Sequence, residues 1–467
     1  LLGKRGGKAV KFVVAMALGA GFGVARGGFF SPVVGVDHSV TFGHWRAEIR
    51  KALYVPDKLP ALEAKVWSSF EPMPGVMADR VTYQTSDGML VPTIVYRPEH
   101  WPGQNKGVKL PGVVVVNGHG GDKFTWYALY SGMLFAKAGA EVVTYDPIGE
   151  GERNVDRRSH ASAHDKIQDA PAGMDADAFH EDWGRRLAGL MQVDEMQAVA
   201  YLQSRPEVDK ARIATAGYSM GSFVSGIAGA IDVNQPEIHA VLLSGGGTFD
   251  DAADGGKSFD TSTLPCQGPP WHALKVLGDG PDERGAIIYA LNAARGPMFV
   301  ENGSNDTVMD IPHRGPEWFA QIRAKALALG GPEKTMFTTH VDPGMSHRTA
   351  WVERPGVAWL EEQIHFAVWT PAEIAAMPTT HVSEWVTANH MDISKGYIRE
   401  DREGGLQALG TGFPGLQRPQ LMVLPDAEWE TLKPRLTYAS WAEKTMAAER
   451  ASTSAVRTPA APGPGPR

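Results

Sequence analysis

The chain has 467 residues, with 43% hydrophobic and 21% charged side chains. That length and apolar content exclude wholesale disorder and suit one large domain with extensions, or two domains. A net charge of −8 argues against a nucleic-acid binder held by phosphate neutralisation, and the single cysteine, Cys266, excludes an internal disulfide and a structural Cys-based zinc site.

Lys4, Arg5, Lys8 and Lys11 precede an apolar, uncharged run from Phe12 to Val24, followed by small residues. Residues 1–25 therefore read as a secretory signal, with secretion or a periplasmic address as the expectation and no stable membrane span after processing. The run is shorter than the ~20 residues a spanning helix needs. Residues 26–79 read as a helical N-terminal extension, with Trp45, Ile49 and Leu53 at helical spacing within a helix-and-loop stretch over 38–80.

From Arg80 the texture changes. Val81 to Thr85 and Val91 to Tyr96 flank Asp87-Gly88 and predict a hairpin. Val113 to Val116 is a continuous apolar run, as in a strand buried on both faces. Further strands are expected at 141–145, 212–216, 240–243, 297–301 and 335–340, with helices over 185–204 and 220–231. Such alternation predicts an α/β domain over 80–368, with a mainly parallel sheet covered by helices on both faces. Two long excursions, 154–184 and 247–296, read as lid-like insertions. Residues 369–450 read as a C-terminal extension packed on the core, and 451–467 as a disordered tail.

The most informative stretch is Gly217-Tyr218-Ser219-Met220-Gly221, placed between a strand and a small-residue helix. Gly-x-Ser-x-Gly in that context is the nucleophile elbow. A serine needs a base, and the base needs an acid to orient it. The chain order Ser, acid, His is met by Ser219, Asp306 and His347, the last two in turn-rich loops after strands. Asp310, and more weakly Asp250 or Asp251, are rivals for the acid. His340 reads as strand, and His313 and His365 as helical. An oxyanion hole needs two donors. The backbone N–H of Met220 is one, and that of His119, in the loop after Val113–Val116, is the other, with Gly120 as alternative.

Asn117-Gly118-His119-Gly120-Gly121, Asp146 to Arg153, the Ser219 pentapeptide, Asp306 and His347 together resemble the α/β-hydrolase superfamily. Within it, the chain is similar to secreted bacterial esterases related to acetyl xylan esterases and to the catalytic domain of prolyl oligopeptidases. The resemblance implies an eight-stranded, mainly parallel sheet and carboxylic-ester hydrolysis with no cofactor and no metal. The implied partner is a small-molecule or carbohydrate ester. Two departures stand out: Asn117 where many relatives have His, and Ser222 where many have a third Gly. A peptidase or amidase of the prolyl oligopeptidase type is the alternative, but the residues before the core are too few for a gating domain. A non-catalytic binding protein on the same fold is the other.

Several features are set aside. His160 and His164 lie four apart but lack a third ligand at a known spacing, so a solvated loop is expected. Gly255-Gly256-Lys257-Ser258 lacks the first glycine of a P-loop. Asp194 reads as a structural partner of Arg153 or Arg212. Cys266 reads as a free thiol in a loop. Trp183, Trp271 and Tyr289 suit either packing or stacking on a sugar ring.

Overall fold

The computed structural model describes residues 39–159, 163–166, 168–232, 237–249, 258–391 and 405–457. The expected signal segment, His160, Asp250, Asp251, the 255–257 glycine-lysine run and residues 458–467 lie outside it. Among the described residues no helix is long and apolar enough to cross a membrane.

Nine strands form one sheet: β1 (Lys65–Met73), β2 (Val76–Gln84), β3 (Leu90–Pro98), β4 (Leu110–Val116), β5 (Glu141–Tyr145), β6 (Val208–Tyr218), β7 (Ala240–Ser244), β8 (Met298–Gly303) and β9 (Thr338–Asp342). Their order is β1-β2-β3-β5-β4-β6-β7-β8-β9. The first three strands are antiparallel to their neighbours, and β4 to β9 run parallel. The sheet thus has nine strands rather than eight. The extra one, β1, lies in the stretch read as helix and loop. Its mostly exposed residues give no apolar alternation to read.

Side-chain alternation explains why both faces are buried. Val114 and Val116 of β4 join one apolar cluster, while Val113 and Val115 join the other. The first cluster is covered by α1 (Ser39–Ala52), α3 (Ala176–Ser204), α4 (Met220–Ile231), α5 (Gly268–Ala273), α6 (Glu283–Arg295) and α7 (Ile311–Ala328). The second is covered by α2 (Trp126–Ala138), α8 (Arg354–Ile364) and most of the C-terminal region.

Three excursion and tail readings are corrected. Helix α3 takes in the last nine residues of the first excursion, and the Asp175 carboxylate caps its start by accepting from the Ala178 amide at 2.8 Å. The second excursion is not an open loop: it contains α5 and α6. The last helix, Tyr438–Arg457, runs into the stretch read as a disordered tail. Trp183, Trp271 and Tyr289 are all buried in the first cluster, so none offers a ring for sugar stacking.

Strand order reverses at β4. The chain leaves β4 toward β5 on one side, then returns past it to β6 on the other. At such a switch point the connections diverge to opposite faces and open a crevice at the carboxyl ends of the strands. The loops carrying His119 and Ser219 leave the sheet there.

Candidate active site

Ser219 follows directly on β6 and precedes the first residue of α4. Its backbone, at φ 54° and ψ −114°, is strained for a residue with a side chain. The amide of Ser219 is held by the Ser244 carbonyl at 3.0 Å, across to β7. The flanking glycines make the turn possible. A Cβ on Gly217 would stand 2.2 Å from the Gly221 carbonyl oxygen, and one on Gly221 2.2 Å from that of Val116. The residue after the second glycine, Ser222, donates its hydroxyl to the Ser219 carbonyl at 2.6 Å, so this departure from a third glycine braces the elbow.

The three residues expected to act together meet. His347 Nε2 lies 2.9 Å from Ser219 Oγ, and His347 Nδ1 lies 2.8 Å from Asp306 Oδ2. Asp306 is fully buried, while Ser219 and His347 are partly exposed. The carboxylate is fixed from its far side: the amides of Val308 and Met309 both donate to Oδ1 at 2.9 Å. That leaves Oδ2 turned to the imidazole. The Tyr218 ring lies against the His347 ring at 5.1 Å, and its hydroxyl donates to the His347 carbonyl at 3.1 Å. The rivals are engaged elsewhere. Asp310 pairs with His313 at 3.0 Å, and His340 with Asp342 at 3.1 Å. His365 is not helical; it terminates α8 at φ 50°.

The loop after β4 reaches over the elbow. Asn117 donates from its side chain to the Tyr145 carbonyl at 3.0 Å, tying the ends of β4 and β5 together. The Gly118 amide donates to the Tyr127 hydroxyl at 3.1 Å. The Gly120 amide donates to buried Glu150 Oε1 at 3.1 Å, which counts against Gly120 as the second oxyanion donor. Met220 opens α4, where amides have no partner one turn back. His119 and Met220 border a cavity of ≈ 20 Å³, lined also by Val116, His164 and Val224.

Behind this loop lies a buried ionic cluster. Lys123 is paired with Asp146, and with Glu152 at 2.9 Å, all three fully buried. Burial pushes the Asp146 carboxyl up to about 6, against the pull of Lys123. For Glu152 burial opposes ionisation too, but Lys123 and the amides of Val423 and Leu424 outweigh it and hold the group below the usual range. Asp194 pairs with Arg153, while Arg212 pairs with Asp209. Sequence reasoning flagged Asp194 but missed the Lys123 cluster, whose only signal was a run of charges in segments expected to be loops.

Further contacts come from the second insertion. Cys266 Sγ is 3.0 Å from His119 Nε2, and the Gln267 side-chain amide lies 3.6 Å from Met220 Sδ. His164 is fully buried with its ring 5.5 Å from that of His119, and its Nδ1 is 2.7 Å from the Ile148 carbonyl. Burial lowers the His164 imidazole to about 3. Cys266 is a free thiol in a turn, as expected, but it is buried and its sulfur lies against His119, with His164 close by.

No family profile and no curated protein matches the sequence. Solved structures do. The methylesterase BT1017 superposes with a TM-score of 0.50 at 16% identity, covering 88% of this chain and 76% of its own. An acetyl xylan esterase from Paenibacillus sp. R4 gives 0.43 at 17% identity, covering 70% and 95%. A glucuronoyl esterase from Solibacter usitatus gives 0.44 at 15% identity, covering 65% and 88%. The sheet order, the elbow and the first of these superpositions agree: the chain has the α/β-hydrolase fold.

Proposed function

We propose that this protein is a serine hydrolase that cleaves carboxylic esters through an acyl-enzyme. The observation that carries the reading is the hydrogen-bonded line from Ser219 Oγ through His347 to Asp306. Ser219 Oγ attacks the acyl carbon while His347 Nε2 takes its proton. The tetrahedral oxyanion is held by the amides of Met220 and His119, each worth about 3–4 kcal/mol in comparable sites. His347 then protonates the leaving alcohol. Water attacks the acyl-enzyme with His347 again as base, which returns Ser219 and releases the acid. Asp306 fixes the imidazole tautomer and stabilises its charged form.

Ser219→Ala should cut turnover of p-nitrophenyl acetate by about 10⁶-fold and abolish fluorophosphonate labelling with the fold intact. Undiminished turnover in that variant rules out this nucleophile.

The acyl group proposed is short. The resemblance of the elbow, acid loop and histidine loop to acetyl xylan esterases supports an acetylated carbohydrate, and the superposed BT1017 is a methylesterase, again acting on an ester of a small group. Rates on p-nitrophenyl acetate should exceed those on the octanoate by at least about tenfold. Equal rates on both would refute the short-acyl reading and leave the nucleophile untouched.

A further inference from the structure

We propose that His119, His164 and Cys266 form a binding site for a zinc-class divalent cation at the edge of the active site. Their ligand atoms, two ring nitrogens and one sulfur, all lie within 4.8 Å of one another. A tetrahedral ion with bonds of about 2.0–2.1 Å to nitrogen and 2.3 Å to sulfur spaces its ligand atoms roughly 3.3–3.6 Å apart. The 3.0 Å separation of His119 Nε2 and Cys266 Sγ falls short of that spacing by a few tenths of an ångström, and the His164 pairs lie within 4.8 Å, so the ligand atoms are grouped on the scale of such an ion.

The tautomer of His164 suits the role. Its Nδ1 faces the Ile148 carbonyl at 2.7 Å. A carbonyl only accepts, so Nδ1 carries the hydrogen and Nε2 keeps the lone pair. Metal-binding histidines are oriented in this way, with the second ring nitrogen donating to a backbone carbonyl. Cys266 and His164 are buried, and His119 is partly exposed and gives the route in. The cation would displace the Cys266 thiol proton to solvent and bind the thiolate. Three protein ligands leave one position of a tetrahedral ion open.

No fixed spacing along the chain announces these ligands. These three come from separate connections, after β4, β5 and β7, which meet only where the carboxyl ends of the strands converge. One cation would fasten those three loops together beside the elbow.

The test is titration of the reduced full-length protein with Co²⁺, followed by absorption. The expected result is a single equivalent bound, a near-ultraviolet thiolate-to-cobalt charge-transfer band and displacement by Zn²⁺. Cys266→Ser should remove the band, and His164→Gln should weaken Co²⁺ binding at least tenfold. Each variant's metal-free melting temperature reports whether it folds, and the two substitutions touch different loops. No charge-transfer band at excess Co²⁺, or a band that survives in folded Cys266→Ser, would overturn the site. The spectrum requires no turnover, so it stands or falls independently of the hydrolase reading, which fluorophosphonate labelling of the same sample checks.

Discussion

At the scale of single residues, the decisive arrangement is the division of labour on Asp306. Two backbone amides take one oxygen and His347 takes the other. The carboxylate can therefore neither rotate nor trade partners, and the imidazole inherits that fixity. Asp306→Asn keeps the shape but offers Nδ1 the wrong hydrogen-bonding group if its amide NH₂ occupies the Oδ2 position. The expected result is a fall in kcat of about 10⁴-fold with an unchanged melting temperature. Steady-state kinetics with a thermal melt checks it; a loss under tenfold would show that another group orients the base. That these three residues meet was legible in the sequence because an elbow, an acid loop and a histidine loop each have local turn chemistry in a fixed chain order. The Val308 and Met309 amides were not legible, since nothing in their side chains announces a backbone role.

At the scale of elements, α3 and α4 meet β6 around a hidden acid. Glu195 of α3 is fully buried and accepts from the Ser225 hydroxyl of α4 at 3.0 Å. Burial pushes its carboxyl from 4.5 up to about 8. A folded-state value above the unfolded one means that the native protein holds the proton more tightly. Its contribution to stability is complete below about pH 4.5 and is lost as pH rises through about 8. Glu195→Gln keeps the shape without the charge. Melting temperature should consequently decline less across that range in the variant than in the parent, and parallel pH profiles would remove Glu195 from the account. Elements with strong local patterns were readable beforehand: β4 from its four valines, α4 from its small residues after the elbow. By contrast β1, with exposed polar positions and irregular pairing, carries no periodic signal and is ordered by its neighbour β2 instead. The start of α3 was hidden in polar Asp-rich sequence, because capping by Asp175 needs no apolar face.

At the scale of the whole molecule, the C-terminal region is joined to the loops of the proposed active site through Glu152. Its two carboxylate oxygens accept from the Val423 amide at 2.8 Å and the Leu424 amide at 3.0 Å, and its carbonyl from the Trp429 indole at 2.9 Å. Arg157 adds bonds to Glu152 at 3.0 Å and to Asp426 at 2.6 Å, and Arg418 reaches Asp122 at 3.0 Å in the loop after β4. The sequence reads this region as an extension packed on the core but does not show what holds it there, since that lies in long-range contacts between charged residues in one part and backbone in another. Glu152→Ala removes one of the two acceptors of buried Lys123 and both anchors of 423–424. A loss of about 3–5 kcal/mol is expected from denaturant unfolding; a change under 1 kcal/mol would mean that the C-terminal region is held by its apolar face alone. One further consequence lies at the edge of the sheet, in β1. An outermost ribbon with open backbone groups invites stacking by other copies into fibres. Here the pairing with β2 slips twice, between Val66 and Ser68 and between Phe70 and Met73, and Lys65 folds its ammonium over the Trp67 ring. The warped, charge-tipped border is a poor template for polymerisation, so the hydrolase fold gains its ninth strand without acquiring a sticky margin.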